Sequence, residues 1–125
     1  MATLKISTQS VNSALTKAGV KLATFSDATA RCTGNGCAVT TWNHGWEHGK
    51  IQKVSHVRYA SKPTNGAWHK TEEQRLAERL VWLGDMTAAL EAARDALTTA
   101  GYMVSTRPSA PGFNPDYYEL TVTLP

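Results

Sequence analysis

The stretch Thr71–Gly101, TEEQRLAERLVWLGDMTAALEAARDALTTAG, decides the fold. It opens as helices open. Thr71 is a capping residue, and Glu72 and Glu73 occupy the first turn, where acids meet the positive end of the helix dipole. It closes as helices close. Gly101 follows Ala100 where a left-handed residue ends a helix, and Tyr102 begins a β-like run. Leu76, Leu80, Leu83, Met86, Leu90, Ala93, Leu97 and Ala100 recur at steps of three and four, which predicts one apolar stripe facing a core. Val81 and Trp82 lie beside that stripe. Gly84 is the anomaly. A straight helix over this stretch is about 45 Å long, against roughly 35 Å for a chain of this size folded compactly. Either the helix overhangs the body or Gly84-Asp85 bends it; the expectation is a bend, with Asp85 capping a second segment.

At 125 residues the chain is expected to form a single domain over 1–125. Its 42% apolar content is ordinary for a folded chain and argues against a disordered one. No apolar run approaches the ~20 residues of a membrane span, and MATLKISTQS has no basic-then-apolar leader pattern. A soluble protein of the cytoplasm with no membrane partner is expected. The net charge of +3 is unevenly spread: residues 1–71 hold nine Lys/Arg against two acids, +7, and residues 72–125 hold four against eight, −4. A basic half of this kind suits an anionic partner, although two oppositely charged halves also simply attract each other.

The rest of the chain supplies strands and one short helix. Ala2–Ile6 reads as a short strand. Ser7, Thr8 or Ser10 caps a helix running to Ala18, with Val11, Ala14, Leu15 and Ala18 inward and Gly19 as its stop. Val20–Phe25 is strand-like. Ala14–Leu22 (ALTKAGVKL) and Ala96–Val104 (ALTTAGYMV) echo each other, as two α-to-β corners built with the same chemistry would. Thr29–Trp42 reads as a tight hairpin turning at Gly34-Asn35, which sets Cys32 opposite Cys37. A second hairpin has the loop Asn43–Lys50 and the return strand Ile51–Tyr59. Its inward set is Ile51, Ser55, Val57 and Tyr59; Gln52, Val54, His56 and Arg58 face outward. Tyr118, Leu120, Val122 and Leu124 alternate with polar residues in a closing strand. The expected fold is α+β: a mainly antiparallel sheet of about five to six strands packed on one long helix in the C-terminal half, with a short N-terminal helix.

Three groups of residues carry chemistry. Cys32, Cys37, His44 and His48 have the donor types and inner spacings that tetrahedral zinc accepts, so zinc is the one cofactor the sequence admits; the competing reading is two reduced cysteines and loop histidines, with no cofactor. Residues 42–70 interleave Trp42, Trp46, Tyr59 and Trp68 with Lys50, Lys53, Arg58, Lys62 and Lys70 and hold all four histidines. Cations neutralise phosphates and aromatic faces stack on bases, so Trp46, Lys50, Lys53, His56, Arg58, Lys62 and Lys70 form the expected nucleic-acid or partner-binding set. The competing reading assigns Trp42 and Trp68 to the core. His44, Glu47 and His48 offer acid–base groups, as a histidine-loop nuclease would, but no spacing joins them to a nucleophile, and no Gly-rich phosphate loop is present. The protein is therefore expected not to be an enzyme.

An Ala/Thr-rich helix ending in LTTAGYMV, a polar connection and the closing strand YYELTVTLP resemble small accessory proteins of phages and mobile elements of high-GC bacteria, over residues 88–124. The resemblance implies one of two roles: binding host or phage nucleic acid, or blocking a host protein as counter-defence factors do. The first expectation is a non-enzymatic nucleic-acid-binding accessory protein. The second is a protein-interaction module, an inhibitor of a host defence protein or a self-associating homodimer, using Trp46 and exposed parts of the long helix.

Overall fold

The structure, a computed structural model, describes residues 4–26, 32–47, 50–61, 70–108 and 118–125, with the backbone alone for 44–47 and 50–52. Its elements are α1 (Thr8–Lys17), β1 (Thr24–Phe25), β2 (Cys32–Gly34), β3 (Gly36–Glu47), β4 (Lys50–Ala60), α2 (Glu72–Thr99), β5 (Met103–Pro108) and β6 (Tyr118–Thr123). The class is α+β. The strands form an antiparallel four-stranded sheet in the order β3-β4-β6-β5 and a separate antiparallel pair, β1-β2.

The main sheet is built by alternation. Cys37, Val57, Leu120 and Val122 point inward and are buried against Val11 and Leu15 of α1 and Met86, Leu90, Ala93 and Leu97 of α2. A polar string crosses this inner face: Thr8 Oγ1 donates to Thr41 Oγ1 at 2.9 Å, and Thr41 Oγ1 lies 2.8 Å from the buried Ser55 Oγ. Each hydroxyl has a partner, so the buried Ser55 carries no desolvation penalty of the kind an orphan would. Leu4, Lys5 and Ile6 form no strand; Ile6 joins the core, and Tyr102 pins the segment by donating its hydroxyl to the Lys5 carbonyl at 2.6 Å.

Both helices end alike. The amides of Val20 and Tyr102 bond the carbonyls of Leu15 and Leu97, and those of Gly19 and Gly101 bond Thr16 and Thr98. That double bond pattern requires a left-handed residue, supplied by Gly19 (φ 81°) and Gly101 (φ 105°). Helix α2 starts as a capping box: Thr71 Oγ1 accepts from the Gln74 amide at 3.1 Å, and Gln74 Oε1 accepts from the Thr71 amide at 3.0 Å.

Three expectations are corrected. First, α2 runs unbroken through Gly84-Asp85, so Asp85 caps nothing. The helix overhangs instead: Leu76, Leu80 and Val81 are 57%, 63% and 66% exposed, and burial begins only near Trp82. The stripe from Leu76 to Ala100 averages fewer than 3.6 residues per repeat, so it winds about 120° around the helix. That drift does not account for the exposure, since Leu76 lies only about 40° around the axis from the buried Leu90; residues 71–81 are exposed on every side of the helix. Trp82 is half-buried rather than exposed: its Nε1 donates to Ser61 Oγ at 2.7 Å and its ring meets Tyr59 edge-on at 5.4 Å.

Second, Gly34-Asn35 closes no hairpin. β2 pairs with β1, and β3 pairs with β4. The segment 21–23 runs parallel beside the start of β3 instead, in a bridge of Leu22 with Cys37, with the Cys37 amide bonding the Lys21 carbonyl and the Ala23 amide bonding the Cys37 carbonyl, both at 2.9 Å. Gly36 permits that close approach, since a Cβ there would sit 2.5 Å from the Leu22 carbonyl carbon. Third, β3 and β4 stay paired out to Glu47 opposite Lys50, with a bulge between His44 and Trp46, so Asn43–Glu47 is strand rather than loop.

Two consequences follow for stability. Leu90→Ala, at a fully buried site, should cost about 2–5 kcal/mol, and Leu80→Ala on the overhang under about 0.5 kcal/mol, read by urea denaturation. Gly84→Ala should raise stability by up to about 1 kcal/mol, because a Cβ there meets nothing within 4 Å and the residue is helical. Destabilisation by Gly84→Ala would contradict the unbroken helix.

Candidate nucleic-acid interface

Helices α1 and α2 cover one face of the main sheet. The other face carries the outward residues of all four strands. Pairing places them in rows: Thr40 beside His56, His56 beside Thr121, and Thr121 beside Ser105. To one side lie Trp42 and Val54 and, across the sheet, Thr123 and Met103; to the other, Ala38 and Arg58 and, across the sheet, Glu119 and Arg107. Trp42 is 58% exposed and Met103 59%. The Trp42 Nε1 donates to Thr40 Oγ1 on its own strand at 3.3 Å, which holds the indole along the sheet surface. Arg107 Nε pairs with Glu119 Oε1 at 2.8 Å. Thr40, Trp42, His56, Arg107 and Glu119 line a shallow concavity of about 280 Å³.

The expected binding set is only partly gathered here. Arg58 is on this open face and exposed. His56 is on it but only 9% exposed, so it is a floor residue of the concavity rather than a projecting contact. Lys53 is exposed, but alternation puts it on the helix-side face with Ser55 and Val57. Lys70 stands at the start of α2, where its Nζ pairs with Glu78 at 2.6 Å. Trp46 and Lys50 are paired backbone positions near the hairpin end, and their side chains lie outside the description. Lys62 and Trp68 lie outside the described residues. Trp42, which the competing reading buried, is exposed. The residues that sequence reasoning missed are Met103, Ser105, Arg107, Glu119 and Thr121. A signal for two of them existed: alternation in β6 already set Glu119 and Thr121 opposite the core, but nothing in the sequence said that β6 lies beside β4.

The four expected zinc donors do not assemble as one describable set. Cys37 is buried at 1% exposure, its Sγ 3.9 Å from the Ala89 carbonyl, and burial pushes its pKa up to about 11. A thiol held neutral in the core fits poorly as a metal ligand, which must be a thiolate. Cys32 is in the separate β1-β2 pair, donating to the Gly34 carbonyl at 2.9 Å, and both cysteines are free thiols. His48 and the His44 side chain lie outside the description. Among the described residues no group of three or more metal-binding side chains converges, and no helix is long and apolar enough to cross a membrane.

No protein-family model, curated protein or solved structure matches the chain. The reading of this surface therefore rests on its chemistry alone.

The buried thiol gives a pH signature. The Cys37 pKa is raised in the folded state, so the folded chain holds its proton at pH values where the unfolded chain has lost it. Its contribution to stability is whole below about pH 9 and is lost as pH rises toward about 11. Burial shifts Tyr59, Tyr102 and Tyr118 upward too, so they act in the same direction. Denaturation series at pH 8–11 should show a falling stability whose slope is smaller in Cys37→Ala. With a thiol reagent at neutral pH, Cys32 should react well before Cys37.

Proposed function

We propose that this is a non-enzymatic accessory protein that binds nucleic acid through the open sheet face on which its β3–β4 hairpin presents Trp42. The observation that carries the reading is the Trp42 indole, 58% exposed on a sheet face that no described helix covers, with Arg58 on the same face about 13 Å further along β4. An indole in that position offers a base-sized stacking surface, and a guanidinium offers a phosphate its donors. The accessory role, in a phage or mobile element acting within a bacterial cell, rests on the resemblance of residues 88–124 to such proteins.

A second reading is favoured by a different observation. Leu76, Leu80 and Val81 leave an apolar strip exposed on the overhanging half of α2, the kind of strip a partner protein covers. In that reading the chain inhibits a host protein or self-associates, and Trp82, tied to Ser61 and Tyr59, takes no direct part.

Salt separates the two. Binding of labelled oligonucleotides, followed by anisotropy, should weaken with salt with a log–log slope of about −0.7 per phosphate contact for single strands. Arg58→Glu should lower affinity several-fold and make the slope shallower, while Lys53→Glu, on the opposite face, should do less. Unchanged binding by Arg58→Glu would overturn the nucleic-acid reading. Capture of a protein partner that ignores salt but is lost on Leu80→Glu would establish the second.

A further inference from the structure

The open face is poor in charge for a duplex binder. Among its described residues the cations are Arg58 and Arg107, and Arg107 is already paired with Glu119. A duplex shows a protein mainly its two phosphate rails and hides the flat faces of its bases. What this face offers instead is an exposed indole, an exposed thioether at Met103 and a row of hydroxyl and imidazole groups from Thr40 to Ser105. Those groups address base faces and base edges. They span the sheet from one edge strand to the other, about 14 Å at the usual strand spacing.

Resting on the nucleic-acid reading above, we infer that the ligand is single-stranded. It crosses the open sheet face from Trp42 on β3 toward Met103 and Arg107 on β5, with one base on the indole and its edge in the Thr40–His56–Glu119 concavity. The site thus extends to β5 and β6, which lie outside residues 42–70.

Glu119 gives the concavity a preference. Its side chain is 18% exposed and is fixed by the ion pair to Arg107, so the carboxylate is an oriented acceptor in the wall. Carboxylates accept from exocyclic amino groups such as cytosine N4, whereas thymine presents a carbonyl oxygen at the same position. Arg107 keeps the carboxylate from repelling the phosphates, and it makes that pair through Nε, one of the five guanidinium donors. A base bearing an amino group is therefore favoured over thymine.

The test uses the full chain and three fluorescein-labelled probes of equal length: oligo-dC, oligo-dT and a mixed-sequence duplex. The expected result is at least tenfold tighter binding of oligo-dC than of the duplex, and weaker binding of oligo-dT. Trp42→Ala should lose roughly 5- to 150-fold on oligo-dC, the range of one stacked base, while Trp42→Phe retains most of the affinity. Glu119→Gln should narrow the dC/dT ratio without abolishing binding. The indole is exposed, so its loss leaves the fold intact, and a circular dichroism spectrum checks this. Equal affinity for duplex and single strand, or full affinity in Trp42→Ala, would overturn this inference; a concurrent loss in Arg58→Glu would leave the broader reading standing. A dC/dT ratio of one would remove the role given to Glu119. Failure of all three probes to bind would overturn both readings.

Discussion

The structure depends on one contact, the seating of Met86, Leu90, Ala93 and Leu97 on the inner face made by Val57, Leu120 and Val122. These side chains are almost wholly removed from water. At about 1.5–3 kcal/mol for each large one, this burial is the main term opposing the entropy of ordering the chain. It is also one-sided. An antiparallel sheet tolerates water on its second face, so one helix layer suffices for the fold; among the described residues no helix covers that face, where Trp42, Arg58 and Met103 are exposed while Ala38, Val54 and His56 are buried. The candidate interface follows from that asymmetry.

The same contact explains the overhang. Residues 71–81 are exposed in every direction around the helix, so that half lies beyond the sheet rather than turned away from it. Only the turns from Met86 onward meet the sheet, and the capping box at Thr71 and Gln74 sits at the far end, stabilising turns that have little core to pack on. Lys70 and Glu78 bridge two turns there, a surface pair that contributes little by itself. Gly84 adds helix propensity cost without relief from packing. The apolar residues of that half are thus in water for reasons the core does not supply.

Sequence carried the local structure well. Caps at Ser7, Thr71, Gly19 and Gly101 are short-range chemistry, and each was visible in one or two residues. Alternation in β6 and in β4 assigned Leu120, Val122, Ser55 and Val57 inward correctly, because a half-buried strand has a period of two. What could not be read was who lies beside whom. Gly34-Asn35 has hairpin chemistry, yet Gly36 answers to the backbone of residues 21–23 paired parallel beside it, which is a demand from outside the turn. The stripe in α2 looked continuous because a list of spacings does not record where the body ends. Lys53 and Arg58 looked like one patch because five residues are close in sequence, but an odd separation along a strand puts them on opposite faces.

The candidate interface is a surface rather than a segment of the sequence. The basic, aromatic run 42–70 is a compositional feature, and the sheet divides its members among the two faces and the helix start. The face that keeps Trp42 and Arg58 adds Arg107, Glu119 and Met103 from the far end of the chain. A solvated sheet face is ordinarily met with threonine and charged side chains, which this one has at Thr40, Thr121, Ser105 and Arg58. Trp42 and Met103 are the exceptions: each forgoes the stabilisation that burial would bring, and each lies toward one edge of the same face. Exposed apolar groups flanking a polar row with an oriented carboxylate match the chemistry of the proposed ligand, a base, which is flat and partly polar.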